Sequence, residues 1–518
     1  TRAAPAIFTV MRLPLLSLAL LAHGVAAANG FDEFTIDAGF VVEQRVLPAD
    51  LLGDGDRQIL VAGRDEDHRQ HLAIYSLESI RSAGTEPLVT LNPEPGHIAY
   101  DVGRLGDKDA VYFIEPGRVS RYDPANGDFV EVLRINSLYA QQRTGDIVPI
   151  DFFRDINDDG RDDLVVPDTA GYRIRLQQPD GSLAEESLLA GSSRMTVSDG
   201  IVSFESRPLF SGDMNFDGLT DLGVWRGNTL LVYTQLSDQR YQGDPDTVQL
   251  GLGLLSEAEL RALQDDAGSV DQRGLTQKSI VSVRDHNGDG LPDILVESTM
   301  STGVFDKRND LSLHLGRRQG DSLTYRATED ALLASEGLQY GVVAIDIDGD
   351  GLQDLLVRKV RLSFTRVIRA LLSGNVSLRL NFFRMTPGGS YAGEPNYVAR
   401  TDVHFSMSSG QIDVPAVEVA DFDGDGLKDL MMQTRPDRLI LSRGVANADL
   451  FADDSRRFEV DLPRNGELVE SGDVNDDGAA DLIMRYTAAD GEQASHIVRV
   501  LISNLRIESQ IEQEETAR

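Results

Sequence analysis

Six copies of one acidic loop, each running into a short apolar stretch, constrain this chain more than any other feature. The clearest copy is DIDGDGLQDLLV, Asp346 to Val357. Acidic side chains fall at places 1, 3 and 5, a glycine stands at 6, and another aspartate at 9. Calcium takes about six to eight oxygen ligands in a flexible shell, and alternate side chains of a tight loop can be aimed inward around it. Asp346, Asp348 and Asp350 fit those places, Gly351 permits the sharp turn, the Leu352 carbonyl is free to coordinate next, and Asp354 closes the shell. An EF-hand needs instead a bidentate glutamate at place 12, on an exiting helix. Place 12 here is Val357, and the run LLV reads as a buried strand. The loop is therefore expected to staple two strands rather than to switch two helices.

The other copies begin at Asp155, Asp213, Asp285, Asp421 and Asp473. Their expected ligands are Asp155, Asn157, Asp159 and Asp163; Asp213, Asn215, Asp217 and Asp221; Asp285, Asn287, Asp289 and Asp293; Asp421, Asp423, Asp425 and Asp429; Asp473, Asn475, Asp477 and Asp481. Place 12 is valine or methionine in all six copies, so the EF-hand reading fails in each. Crowded carboxylates repel one another, and repeating the arrangement makes sense if a divalent cation neutralises each loop, about six structural Ca2+ sites in all. Two eroded copies precede these. The one from Asp50 keeps Asp54 and Gly55 but has Leu52 and Gln58 at ligand places; the one from Asp101 keeps Gly106 and Asp109 but has Leu105 at the fifth. Both are expected to make the same backbone turn without metal.

These units resemble FG-GAP repeats, also described as VCBS-type repeats, the calcium-loop blades of the integrin alpha-subunit β-propeller and of many secreted bacterial proteins. The resemblance covers nearly all of the chain after about residue 40. It implies an all-β propeller in which the metal loops join the first and second strands of each blade. It does not imply one activity, because the family includes adhesion modules, carrier domains and appendages to enzymes.

The spacing of the loops agrees with that architecture. A unit of about 50 to 75 residues has room for four short strands. Eight units suggest eight blades, with seven and one misread unit as the alternative. In blade 5, LSLHLG and SLTYRA read as the third and fourth strands, and the segment FTIDAGFVVEQ from Phe34 is available to complete the last blade. If the metal loops lie on one face, the connections between second and third strands and between blades lie on the other. Three insertions fall there, residues 251–279, 329–340 and 358–375, and short helices are expected in them; Ser256 and Glu259 form a capping-box pattern.

Residues 1–28 read as an upstream extension and a signal peptide: Met11 and Arg12 precede a short apolar core ending in Ala26, Ala27 and Ala28. Residues 29–508 read as one propeller domain and 509–518 as a polar tail. Export to the periplasm, cell surface or exterior is expected, with no transmembrane segment after signal cleavage. The chain has no cysteine, so disulfides and thiol nucleophiles are excluded. Its formal charge of −35 includes 20 carboxylates at ligand places, and six calcium ions would reduce it to about −23. The remaining charge disfavours nucleic acid as a partner.

One basic run breaks the acidic pattern. Arg358, Lys359, Arg361, Arg366 and Arg369 lie in the third insertion, with Lys307 and Arg308 on the same expected face. They read either as a site for an anionic partner, an acidic glycan or acidic protein surface, carried by Arg361, Arg366 and Arg369, or as a cap with solvated arginines. His68 and His71 could bind a metal or simply line a solvated loop, and His286, at the second place of its loop, is expected to point outward. No linear catalytic motif is present. The sequence reads as a calcium-stabilised binding, adhesion or scaffold module for a protein or glycan, with a propeller-based polysaccharide lyase or hydrolase as the alternative.

Overall fold

The computed structural model describes residues 27–28, 30–53, 57–81, 86–106, 109–139, 147–198, 201–205, 207–255, 259, 276–301, 307–334, 338–360, 373–406 and 410–505. Each repeat forms a sheet whose main strands run antiparallel in up-and-down order, blade 2 adding Val148–Pro149 in parallel beside Ala99–Arg104, and eight such sheets follow one another along the chain. Blade 3 shows the plan, with strands Phe153–Arg154, Asp163–Asp168, Gly171–Arg175 and Ser187–Ala190 in spatial order. The first strands of blades 4 to 7 are Phe210–Gly212, Thr276–Arg284, Leu338–Ile345 and Val417–Ala420, and their second strands begin at Asp221, Asp293, Asp354 and Asp429. Blades 1 and 2 are built around Gln58–Arg64 and Asp109–Glu115.

The ring is closed by the opposite end of the chain. Blade 8 consists of Val469–Gly472, Asp481–Arg485 and Ile497–Ser503, and its fourth strand is Phe31–Asp37, paired in register from Phe31 opposite Ser503 to Asp37 opposite Ile497. Phe31, Phe34 and Ile36 of that strand are buried.

Second strands are apolar on both faces because each blade is covered by its two neighbours. In Asp163–Asp168 every residue is buried. The core is accordingly a ring of clusters between blades rather than one centre. Leu295, Leu311 and Leu313 of blade 5 pack with Leu355, Val357 and Phe383 of blade 6. Leu356, Leu380 and Phe382 pack in turn with Leu430 and Met432 of blade 7. Ile36 and Val500 of blade 8 meet Ile59 and Val61 of blade 1. Each fully buried aliphatic or aromatic side chain contributes about 1.5–3 kcal/mol relative to exposure.

Three sequence expectations need correction. Short helices on the face opposite the loops are not supported: the second insertion forms the strand Ala331–Leu333 and the start of the strand Leu338–Ile345, and the only α-helical turn with defined bounds among the described residues, Leu77–Arg81, follows the third strand of blade 1. The fourth strand of blade 5 is Ala331–Leu333, paired with Leu311–Leu313, while Ser322–Thr324 folds back on Arg317–Gln319 as a small hairpin. Asp101 does not open a metal-type loop; it lies inside the strand Ala99–Arg104, and only four residues separate that strand from Asp109. The remaining insertion residues, 256–258, 260–275, 335–337 and 361–372, lie outside the described residues, and with them Arg361, Arg366 and Arg369. No helix among the described residues is long and apolar enough to cross a membrane.

Candidate metal centres

All six acidic loops join the first and second strands of their blades, so they share one face of the ring. The ninth-place aspartate is the first residue of the second strand, and it is fully buried in every copy: Asp163, Asp221, Asp293, Asp354, Asp429 and Asp481. Each uses both carboxylate oxygens as backbone acceptors. One oxygen of Asp354 accepts the Ile347 N–H of the loop at 3.1 Å, and the other accepts the Met385 N–H beyond the third strand at 2.8 Å. The same pair of bonds recurs at Asp163, Asp221, Asp293, Asp429 and Asp481. Burial raises these carboxyls to about 7, and Asp221 to about 6, with the backbone donors opposing the rise.

The first-place aspartate shapes the turn. Its carboxylate accepts the N–H of the sixth-place glycine in all six copies, at 2.7–2.9 Å. That glycine has positive φ throughout, +83° at Gly351 and +92° at Gly426, a conformation side chains resist. The fifth-place aspartate then accepts the N–H two residues on, as Asp350 does from Leu352 at 3.0 Å. In four loops the third-place asparagine donates to the fifth-place aspartate: Asn157, Asn215 and Asn287 at 3.0 Å and Asn475 at 2.8 Å. Adjacent loops are tied together, the Gln353 N–H donating to the His286 carbonyl at 2.9 Å and the Lys428 N–H to the Ile347 carbonyl at 2.8 Å.

The blade 6 and blade 7 loops bring carboxylate oxygens closest. Oxygens of Asp346, Asp348 and Asp354 lie within 4.8 Å of one another, as do those of Asp421, Asp423 and Asp425. In blade 6, Asp346 Oδ1 and Asp348 Oδ1 are buried without a hydrogen-bond partner among the described residues. Orphaned, converging carboxylate oxygens fit a hard divalent cation, which takes oxygen ligands and offsets their mutual repulsion.

The two N-terminal blades show what remains when the acidic set is lost. In blade 1, Gln58 takes the ninth place, buried, and its side-chain carbonyl accepts the Leu51 and Leu52 N–H groups at 2.7 and 3.0 Å. Asp50 still caps Gly53, and Asp54 and Gly55 lie outside the described residues. In blade 2, Asp109 is paired with Arg104 at 2.8 Å, and Asp101 accepts the Phe152 and Phe153 N–H groups of blade 3.

Second-place side chains point inward, contrary to the expectation for His286. Ile156, Met214, His286, Ile347, Phe422 and Val474 are all buried, and both ring nitrogens of His286 lack a partner among the described residues. Burial lowers His286 to about 3, so it is neutral. His71 is held by Asp65 at 2.8 Å, while His68 sits exposed in the turn. Glu94, His97 and Glu115 form a further grouping in blade 2. There His97 Nδ1 accepts the Glu94 N–H at 3.0 Å, which leaves the proton on Nε2; that nitrogen lies 3.6 Å from Glu115 with no hydrogen-bond partner among the described residues, and the ring is packed on Phe113.

Sequence reasoning read Gln58 only as a departure at a ligand place, not as a cap, and did not single out the arginines that reach two of the loops. Arg384 contacts Asp348 through Nε and Asp350 through Nη2, the latter at 2.7 Å, and Arg443 Nε lies 3.4 Å from Asp423. Their signal was available: both stand one residue before the N–H that caps the ninth-place aspartate.

Comparison with protein families finds that residues 285–357, which span the loops from Asp285 and Asp346, match the FG-GAP-like repeat. No curated protein matches the chain. Among solved structures, similarity extends to an Agrocybe aegerita lectin that recognises non-reducing terminal N-acetylglucosamine, at 12% identity, TM-score 0.40, covering 92% of this chain and 99% of that one. It extends also to the Dos1 propeller, at 10% identity, TM-score 0.40, with 92% and 95% covered. The Vanderwaltozyma polyspora Nup133 β-propeller domain follows at 9% identity, TM-score 0.34, with 92% and 98% covered. The repeat match, the six in-phase loops and the eight closed sheets together make this chain an FG-GAP-type repeat β-propeller.

Proposed function

We propose that this propeller is an exported binding or scaffold module whose blades are stapled on one face by calcium, leaving the opposite face to engage a protein or glycan. The observation that carries the calcium reading is the blade 6 loop, where Asp346 and Asp348 each keep a buried oxygen unpartnered beside Asp354. The first-place, third-place and ninth-place carboxylates would hold the ion, and the ion would supply charge neutralisation and a fixed loop, not chemistry. Export is supported by the apolar segment after Arg12 and by the abundance of calcium outside the cytosol.

The opposite end of the ring has a suitable recess. A cavity of about 470 Å³ is lined by Arg45, Arg358, Glu418, Glu467, Glu470 and Ser471, among others. Gly466 and Glu467 precede the first strand of blade 8, which places the opening away from the metal loops. Its walls carry both signs of charge, with Arg45 paired to Glu470 at 2.6 Å.

The calcium reading is tested by melting the protein in chelator and after calcium is restored: a lower, calcium-rescued melting temperature supports it, and superimposed curves reject it. The binding reading is tested with acidic and neutral polysaccharides in calcium. Retention without product release supports a binding module, whereas cleavage products would replace it with a polysaccharide-cleaving enzyme.

A further inference from the structure

Two of the six loops carry a fourth carboxylate, Asp348 in blade 6 and Asp423 in blade 7, where the other four carry asparagine. The residue preceding the N–H that caps the ninth-place aspartate is Leu176, Thr234, Leu315, Arg384, Arg443 and Ile502 in blades 3 to 8. Arginine thus occurs at this place in the two blades with a third-place aspartate and in neither kind of asparagine blade, before or after them. In blade 3, Arg161 reaches Asp159 from the loop's own seventh place and does not stand at this position.

The contacts give one oxygen of the third-place carboxylate to an arginine. In blade 6, Arg384 Nε takes Asp348 Oδ2, leaving Asp348 Oδ1 buried, unpartnered and converging with oxygens of Asp346 and Asp354. In blade 7, Arg443 Nε lies 3.4 Å from Asp423 Oδ2, while Asp423 Oδ1 accepts the Asp425 N–H at 3.3 Å and Asp423 groups with Asp421 and Asp425. Counting formal charges at places 1, 3, 5 and 9 together with the arginine, a four-carboxylate loop carries the same net charge as a three-carboxylate one.

We propose that Arg384 and Arg443 are charge-compensating residues that set the divalent-cation affinity of the blade 6 and blade 7 loops, by occupying the outer oxygen of the third-place aspartate and leaving the inner one to the ion. This rests on the calcium reading above and assigns it residues outside the loop. Without the guanidinium, four carboxylates act on the ion unopposed, so affinity rises; without the ion, the same carboxylates repel one another unopposed, so the loop is weakened.

The test uses the full chain with calcium chloride alone, read by calorimetric titration and by melting in chelator. Arg384→Leu is expected to move one site to at least tenfold tighter calcium binding and to lower the melting temperature in chelator. Combining it with Asp348→Asn, which recreates the blade 5 type of loop, is expected to return both quantities to wild-type values. Arg384→Gln is the companion variant should the leucine form fold poorly. If the wild-type chain takes up no calcium, the calcium reading itself fails. If it binds calcium but Arg384→Leu and Arg384→Gln bind no tighter, the compensating role is overturned while the calcium reading stands.

Discussion

The side-chain carbonyl of Gln58 accepts the Leu51 N–H at 2.7 Å, the bond that a buried aspartate makes to the equivalent loop N–H in six other blades. A neutral amide can therefore perform the ninth-place backbone task, which separates that task from cation binding. Substituting Asp354→Ala strands the Ile347 and Met385 N–H groups and is expected to cost about 2–5 kcal/mol. Gln58→Ala strands Leu51 and Leu52 in the same way. Urea unfolding in calcium and in chelator distinguishes them: the Gln58→Ala loss is the same in both, and the Asp354→Ala loss is larger in calcium.

The buried ninth-place carboxyls predict an unusual pH dependence. Five of them stand at about 7 in the folded chain, raised by burial above the ordinary value of 3.8. The folded state therefore binds protons that the unfolded state has released between about pH 4 and 7, and this contribution is complete below that range and lost as pH rises through it. In chelator, the melting temperature is expected to rise as pH falls from 8 to 5.5. Added calcium needs ionised ligands, so its stabilising effect is expected to shrink over the same interval. A chelated protein that is most stable at pH 8 would contradict the burial of these groups.

His286 is a polar residue in an apolar series, standing where the other five loops have Ile156, Met214, Ile347, Phe422 and Val474. Its two ring nitrogens, unpartnered among the described residues, carry a desolvation cost that methionine would not. His286→Met is expected to stabilise the chain by about 1–3 kcal/mol, measured by urea unfolding. Destabilisation would show that the imidazole is bonded in solution.

Closure of the ring depends on the strand Phe31–Asp37. Deleting it exposes the edge of Ile497–Ser503 and removes Phe31, Phe34 and Ile36 from the core, about 1.5–3 kcal/mol for each side chain. The truncated chain is expected to melt earlier and to be rescued by a synthetic peptide of that strand added in trans. A truncated chain with unchanged melting would show that blade 8 is closed without it.

The turn of the acidic loop and its repetition were legible in the sequence because such a loop is local: the spaced carboxylates, the turning glycine and the apolar exit all lie within twelve residues. Eight units then implied eight blades, and an unused N-terminal strand implied the closure seen between Phe31 and Ser503. Tertiary structure decided what depended on neighbours in space. Asp101 looked like a loop opener, yet lies within a strand, bonded to blade 3, because its blade has a shortened connection. His286 looked solvent-facing, yet is fully buried, since loop parity does not reveal which residue its surroundings cover. Arg384 lies 36 residues from Asp348, and only antiparallel pairing of the second and third strands of blade 6 brings the two together. Local geometry is written in spacing, whereas compensation of a buried charge is settled by whichever side chain the fold delivers beside it.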